Sequence, residues 1–88
     1  MTTAREVAEW MAAELEHVES LYQEEAVYRI AAKFGSDFVY QNENGNLAID
    51  RGVLHAFRKL TDDSVVWEKT ERCWRKRIPS DPPGRRTD

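Results

Sequence analysis

The sequence lacks the features that stabilise small secreted domains or carry a chain through a membrane. Its one cysteine, Cys73, cannot form an internal disulfide, so a disulfide scaffold is excluded. No stretch approaches the roughly 20 consecutive apolar residues of a membrane span. The first residues lack the basic and apolar segments of a secretion signal. These absences predict a cytoplasmic domain with no membrane partner.

Glycine, histidine and cysteine do not occur at the spacings that phosphate binding, metal binding or catalysis requires. The glycines never fall into the spacing of a phosphate-binding loop. His17, His55 and Cys73 are not paired at ligand spacing, whereas structural zinc needs four clustered ligands. No base is placed beside Cys73 or a serine, and adjacent acids such as Asp62 and Asp63 need not converge as an acid–base couple. The sequence therefore predicts no catalytic residue, metal, cofactor or small-molecule substrate.

Acidic residues are concentrated in the first part of the chain. The whole sequence has a net charge of −3. Residues 1–50 hold 3 basic and 10 acidic side chains, whereas residues 51–88 hold 10 basic and 6 acidic ones. The two parts carry net charges of −7 and +4. This asymmetry indicates a positively charged binding surface in the second part.

Two amphipathic helices are predicted in the acidic part. The first begins with the capping-box spacing of Thr3 and Glu6. Its apolar positions recur at helical steps: Val7, Met11, Leu15 and Val18.

The spacing from Ser20 to Gln23 repeats the capping-box spacing and predicts the start of the second helix. The second buried stripe is Val27, Ile30, Ala31 and Phe34. Gly35 stands where a left-handed C-terminal cap needs a residue without Cβ.

Residues 38–49 predict a β-hairpin. Val39 and Tyr40 favour a strand, and Asn44-Gly45 is a strong hairpin signal. A two-residue turn at that dipeptide pairs Tyr40 with Ile49. The side chains that then share one face are Phe38, Tyr40, Leu47 and Ile49. A single strand followed by an ordered loop also fits these residues.

A third helix with a basic outer face is predicted after Asp50, which is a good N-cap. Its inward stripe is Val53, Leu54, Phe57 and Leu60. Arg51, His55 and Arg58 lie within roughly 60° of one another around such a helix, with Lys59 on the flank.

A second hairpin is predicted from residues 65–68 and 73–78. A two-residue turn at Thr70-Glu71 would place Trp67 directly opposite Trp74. Because this turn lacks glycine and asparagine, a longer loop fits equally well. Both tryptophans are expected in the core, since a domain this small depends on large apolar side chains, although either ring could stack on a base.

These elements predict one α+β domain over residues 1–78, followed by a flexible tail of proline, glycine and arginine over residues 79–88. The domain has three helices with one or two short β-hairpins, in the order helix, helix, strand, strand, helix, strand, strand. That order resembles winged-helix domains over residues 4–78. The resemblance implies a third helix that enters a DNA groove and a hairpin that lies against the backbone. The long segment from Gly35 to Asp50 departs from a tight helix-turn-helix, which uses three or four residues.

Several segments are also similar to the landmarks of a small family of uncharacterised bacterial proteins. They are Phe38-Val39-Tyr40, Asn42-Glu43-Asn44-Gly45-Asn46, Ala56-Phe57-Arg58-Lys59-Leu60-Thr61, Val65-Val66-Trp67, Trp74-Arg75 and Pro83-Gly84-Arg85. This resemblance implies one compact bacterial domain and assigns no activity or site residue.

The functional hypothesis is a non-catalytic domain that binds nucleic acid, with duplex DNA as the expected ligand. Its candidate residues lie on the third helix and the last hairpin: Arg51, His55, Arg58, Lys59, Lys69, Arg72, Arg75, Lys76 and Arg77. The alternative is a protein-interaction module or homodimer, which associates through an exposed strand edge or uses the acidic first part of the chain to meet a basic partner. The basic side chains then only solvate a helix face or protect strand edges.

Overall fold

A computed structural model of the protein describes residues 2–81 and 86–87. Its helices and strands, in chain order, are α1 (Ala4–Glu14), β1 (Ser20–Tyr22), α2 (Gln23–Phe34), β2 (Val39–Gln41), β3 (Leu47–Ile49), α3 (Arg51–Thr61), β4 (Val65–Glu68), β5 (Cys73–Lys76) and β6 (Arg86–Thr87). The three helices and the short, mainly antiparallel strands confirm the predicted α+β class. The predicted order is kept, and β1 and β6 are additional.

α1 begins where the sequence predicts. The Thr3 hydroxyl oxygen accepts a hydrogen bond from the Glu6 amide at 3.2 Å. Val7 and Met11 are fully buried, as the helical stripe requires. The prediction that Val18 belongs to this stripe is wrong, because the helix ends at Glu14 and Val18 lies beyond it, 42% exposed.

The predicted start of the second helix is also wrong, because Ser20–Tyr22 forms β1. This strand pairs antiparallel with β5, and Leu21 lies opposite Trp74. This pairing buries the apolar side chain of Leu21, which stabilises the fold. A helix cap that faces solvent would not bury it. α2 begins at Gln23 without a side-chain cap, and the Gln23 amide donates to the Arg72 carbonyl at 3.0 Å.

α2 buries Val27 and Ile30 and ends at Gly35. Gly35 has a φ of +100°, which confirms that a residue without Cβ is needed at this cap. Its ψ of 168° is extended rather than helical, so the chain leaves the helix towards β2. Phe34, in the last turn, packs edge-on against Trp10 of α1, with 5.9 Å between ring centroids.

The β2–β3 hairpin is confirmed, but its register differs by one residue from the prediction. Val39, rather than Tyr40, lies opposite Ile49. The Asn42 carboxamide oxygen accepts hydrogen bonds from two backbone amides inside the loop, at 3.0 and 3.1 Å. This side-chain capping favours a loop longer than the predicted two-residue turn. The shift moves Tyr40 off the predicted apolar face and into an exposed position.

α3 is capped as predicted by Asp50, whose carboxylate accepts from a first-turn amide at 2.9 Å. Val53 and Phe57 are fully buried, and the helix packs chiefly along α1. The prediction that Leu60 belongs to the inward stripe is wrong, because its side chain is 38% exposed. Thr61 is buried in its place, and its hydroxyl donates to the Phe57 carbonyl at 2.7 Å.

The larger sheet joins the first and last parts of the chain, with strand order β1-β5-β4-β6. Trp67 lies opposite Trp74 as predicted, with ring centroids 4.7 Å apart. The connection is the longer of the two predicted forms, because strand pairing stops at Glu68 and Cys73 and leaves residues 69–72 in the loop. Trp74 also packs against Phe57 in a T-shaped arrangement, with 5.6 Å between ring centroids, so the sheet packs on α3.

The predicted flexible tail, residues 79–88, falls partly outside the described residues, which omit 82–85 and 88. In the described part, Asp81 forms an ion pair with Arg75, and Arg86–Thr87 pairs in parallel with β4. The mobility of this segment stays a prediction.

Candidate nucleic-acid interface

The outer face of α3 is a row of basic side chains. Arg51, His55, Arg58 and Lys59 are all exposed, as their helical spacing predicts. At a rise of about 1.5 Å per residue, the row from Arg51 to Arg58 extends for about 10 Å. No acidic residue occurs within Arg51–Thr61. We refer to Arg51, His55, Arg58 and Lys59 as the α3 row.

The α3 row is not paired with carboxylates of the described residues. In the described part of the chain, none of its four side chains takes part in an ion pair or a side-chain hydrogen bond. The flanking Asp50 carboxylate is engaged by the helix amide that it caps. The row therefore presents its donors to solvent, where anionic groups have access to them.

Arg75, by contrast, is fully engaged inside the protein. Its Nε donates to Glu68 Oε1 at 2.7 Å, and its terminal nitrogens donate to both Asp81 oxygens at 2.9 and 2.8 Å. The Asp81 side chain is only 6% exposed. The bonds from Arg75, with a further bond from the Ile78 amide, lower the pKa of Asp81 from 3.8 to about 2. Asp81, followed by Glu68, raises the pKa of Arg75. Arg75 thus acts as a clamp on the segment after β5.

The next two predicted residues, Lys76 and Arg77, are also not equivalent to the α3 row. Lys76 Nζ donates to Glu16 Oε2 at 2.8 Å, which lowers the pKa of that carboxyl. This pair joins β5 to the segment after α1. Arg77 is half-buried and interacts with neighbouring groups, and its backbone amide donates to the Ser64 carbonyl at 2.9 Å.

Lys69 and Arg72 lie in the loop between β4 and β5, at the far end of the hairpin from Lys76. Both side chains are exposed. Arg72 has a φ of +55°, and its amide donates to the Glu68 carbonyl at 2.7 Å, which closes the loop. Its carbonyl accepts from Gln23, so the loop lies beside the start of α2. The nine predicted residues therefore divide into the α3 row, an internally paired set and the loop cations.

The remaining aromatic and thiol candidates belong to the interior. Trp74 is in the core and Trp67 packs against it, as expected for both. Cys73 is buried on the opposite face of the sheet, where Sγ lies 3.6 Å from Glu68 Oε2. Burial raises the pKa of the Cys73 thiol, which disfavours the nucleophilic thiolate. Among residues 2–81 and 86–87, no three His, Cys, Asp or Glu side chains are grouped so that they could hold a metal ion.

Residues 3–76 match the model of a family described as a family of unknown function, DUF6953. This match covers most of the chain. The chain belongs to the DUF6953 family. No curated protein and no solved structure matches this DUF6953 member. In the described ranges, none of its helices has the length and apolar character to cross a membrane.

A second surface was not predicted from the sequence. A groove of about 770 Å³ lies between the start of α2, residues 46–47 and the β4–β5 loop. Its lining includes Tyr22, Tyr28, Glu24, Glu25 and Glu71. Local sequence patterns do not indicate this groove, because its walls come together through the pairing of β1 with the distant β5, where the spacing predicts a helix cap instead.

Proposed function

We propose that this DUF6953 domain is a non-catalytic module that binds nucleic acid, with duplex DNA as its ligand, through the α3 row. One observation carries the proposal. The four side chains of the row are exposed on one face of a helix without acidic residues, and they form no ion pair in the described part of the chain. Such a row is suited to phosphate, because each neutralised phosphate releases counterions.

The arrangement of elements supports the same function. α3 is the third helix and the β4–β5 hairpin follows it, in the order that resembles winged-helix domains. β2 and β3 fill the long segment between α2 and α3, so the approach of α3 to a groove need not match that of a tight helix-turn-helix. Likeness of fold alone does not imply function, so the α3 row remains the main argument.

The chemistry of the row predicts backbone contacts rather than base readout. Arg51 and Arg58 offer planar guanidinium donors, which match phosphate oxygens, and Lys59 supplies a compact charge beside them. Contacts to phosphate carry no direct sequence information. We therefore expect binding that depends on salt and varies little with DNA sequence. In this proposal Arg75 and Lys76 are structural, because carboxylates of the same chain already neutralise them.

Fluorescence anisotropy with a labelled random duplex tests the proposal. The double variant Arg58→Ala/Lys59→Ala should weaken binding at low salt and flatten its salt dependence. The matched control, Arg5→Ala/Lys33→Ala, removes the same charge from exposed positions of α1 and α2 and should leave binding nearly unchanged. Absence of association at low ionic strength, or equal losses for the two double variants, would refute the proposal.

A further inference from the structure

The groove beside α2 combines exposed aromatic rings with apolar and charged side chains. Tyr22 and Tyr28 line it and are 46% and 59% exposed, although each carries a large ring. Val27, which is buried, and Leu47, which is half-buried, also contribute to the lining. Exposed tyrosines that line a groove are typical of binding sites, because a tyrosine offers a large contact area at low entropic cost.

Hydrogen bonds from backbone amides fix the segments that line this groove. The bond from the Gln23 amide to the Arg72 carbonyl ties α2 to the β4–β5 loop. On the opposite wall, the Asn42 carboxamide oxygen accepts from the backbone amide of Asn46, at 3.1 Å. A groove that is formed in advance requires little ordering when an extended ligand binds.

Charge distinguishes among the possible ligands. Glu24, Glu25 and Glu71 line the groove, are exposed, and form no ion pair in the described part of the chain. Arg29, which also lines it, already pairs with Glu14 and lies over Trp10, 4.9 Å from the ring centroid. Arg72 is then the one unpaired cation among the described lining residues. The groove is therefore acidic, opposite in sign to the α3 row.

We propose that this groove binds an extended cationic peptide segment, containing arginine or lysine, from a partner protein. Guanidinium or ammonium groups of such a segment can lie over the faces of Tyr22 and Tyr28. The same groups can form charge-assisted hydrogen bonds with Glu24 and Glu25. Duplex DNA does not fit here, because its phosphates would meet unpaired carboxylates. This site is independent of the nucleic-acid function proposed for α3.

NMR spectroscopy on the full-length ¹⁵N-labelled protein tests the site directly. The probe is a synthetic octapeptide of alternating arginine and glycine, compared with an octapeptide of alternating glutamine and glycine. The arginine peptide should shift amide signals of residues 22–29, 46–47 and 71–72, and the glutamine peptide should not.

Two matched pairs of variants then test the chemistry. Tyr28→Ala should weaken arginine-peptide binding about two- to fivefold, the range expected for an exposed cation–π contact. Tyr40→Ala should not, because Tyr40 is an exposed tyrosine outside the groove. Likewise Glu24→Gln/Glu25→Gln should weaken binding, whereas Glu6→Gln/Glu9→Gln removes equal charge from α1 and should leave it nearly unchanged. Thermal unfolding confirms that each variant is folded.

Three outcomes would overturn the proposal: shifts located outside the groove, equal binding of the glutamine peptide, or equal losses for a groove variant and its control. Duplex binding is measured on the same variants. Loss of duplex binding in the α3 variant with peptide binding retained would leave the groove proposal standing. The reverse result would leave the α3 proposal standing, so the two can fail separately.

Discussion

Replacing Arg58 and replacing Lys76 by alanine should have different effects on the salt dependence of DNA binding, although both changes remove one positive charge. Arg58 is unpaired on α3 in the described part of the chain, whereas Lys76 is bound to Glu16. If Arg51, Arg58 and Lys59 each neutralise one phosphate, log K should fall with log salt at a slope of about −2.7. Removing one contact should change the slope to about −1.8.

These slopes correspond to differences that are easily measured. Between about 50 and 200 mM salt, the wild-type affinity should fall about 40-fold, and that of Arg58→Ala about 12-fold. Lys76→Ala should keep the wild-type slope. Lys76 is exposed and its surface ion pair contributes little to folding, so the variant should remain folded. Fluorescence anisotropy at three salt concentrations provides the slopes.

Arg75 gives a second comparison on the same hairpin. Arg75→Lys keeps the charge but cannot reproduce the planar contacts to Glu68 and Asp81. We expect a lower melting temperature with an unchanged salt slope. The assignment of DNA contacts to α3 alone is refuted if Lys76→Ala or Arg75→Lys flattens the slope as much as Arg58→Ala does.

Two further predictions concern stability. Phe57→Ala should lower the free energy of unfolding by about 3–5 kcal/mol in urea denaturation, because Phe57 is fully buried against Trp74. Leu60→Ala, on the exposed side, should lower it by under about 1 kcal/mol. Equal losses for the two variants would contradict the observed core. Asp81→Asn should lower the melting temperature, because it removes the ionised carboxylate that Arg75 binds. The fold lowers the Asp81 pKa from 3.8 to about 2. The stabilisation by the ionised Asp81 is therefore complete above its unfolded pKa and is lost as pH falls through its folded pKa. The difference in melting temperature between wild type and Asp81→Asn should therefore be constant near neutral pH and shrink between about pH 4 and pH 2; a difference that persists unchanged at pH 2 would contradict the Arg75–Asp81 clamp.

Local sequence patterns predicted the features that depend on neighbouring residues. The caps at Thr3 and Asp50 follow from side chains that reach amides two or three residues ahead. The opposition of Trp67 and Trp74 follows from alternation on either side of a short loop. The α3 row follows from helical periodicity alone. Each of these required only the spacing of residues within one element or one hairpin.

The features that were missed depend on distant residues or on a side chain that bonds to the backbone of its own loop. β1 was interpreted as a helix cap because the partner that makes it a strand, β5, lies far along the chain. The β2–β3 register shifted because the Asn42 side chain competes for backbone amides, which strand alternation does not include. The hairpin cations were grouped with the α3 row because the carboxylate of Glu16 becomes a partner of Lys76 only in the folded chain.

The charge asymmetry along the chain therefore has a different meaning in three dimensions. Among the cations after residue 50, Arg75 is paired with Glu68 and Asp81, and Lys76 is paired on the surface with Glu16 from the acidic part of the chain. In the described part of the chain, Arg51, Arg58 and Lys59 lie unpaired on α3, whereas Glu24, Glu25 and Glu71 lie unpaired in the groove. The described fold extends for 37 × 29 × 20 Å, and the Debye length at physiological salt is about 8 Å. Charges separated by more than this length are largely screened from each other, so a protein with a net charge of −3 can present one surface to a polyanion and another to a cationic peptide.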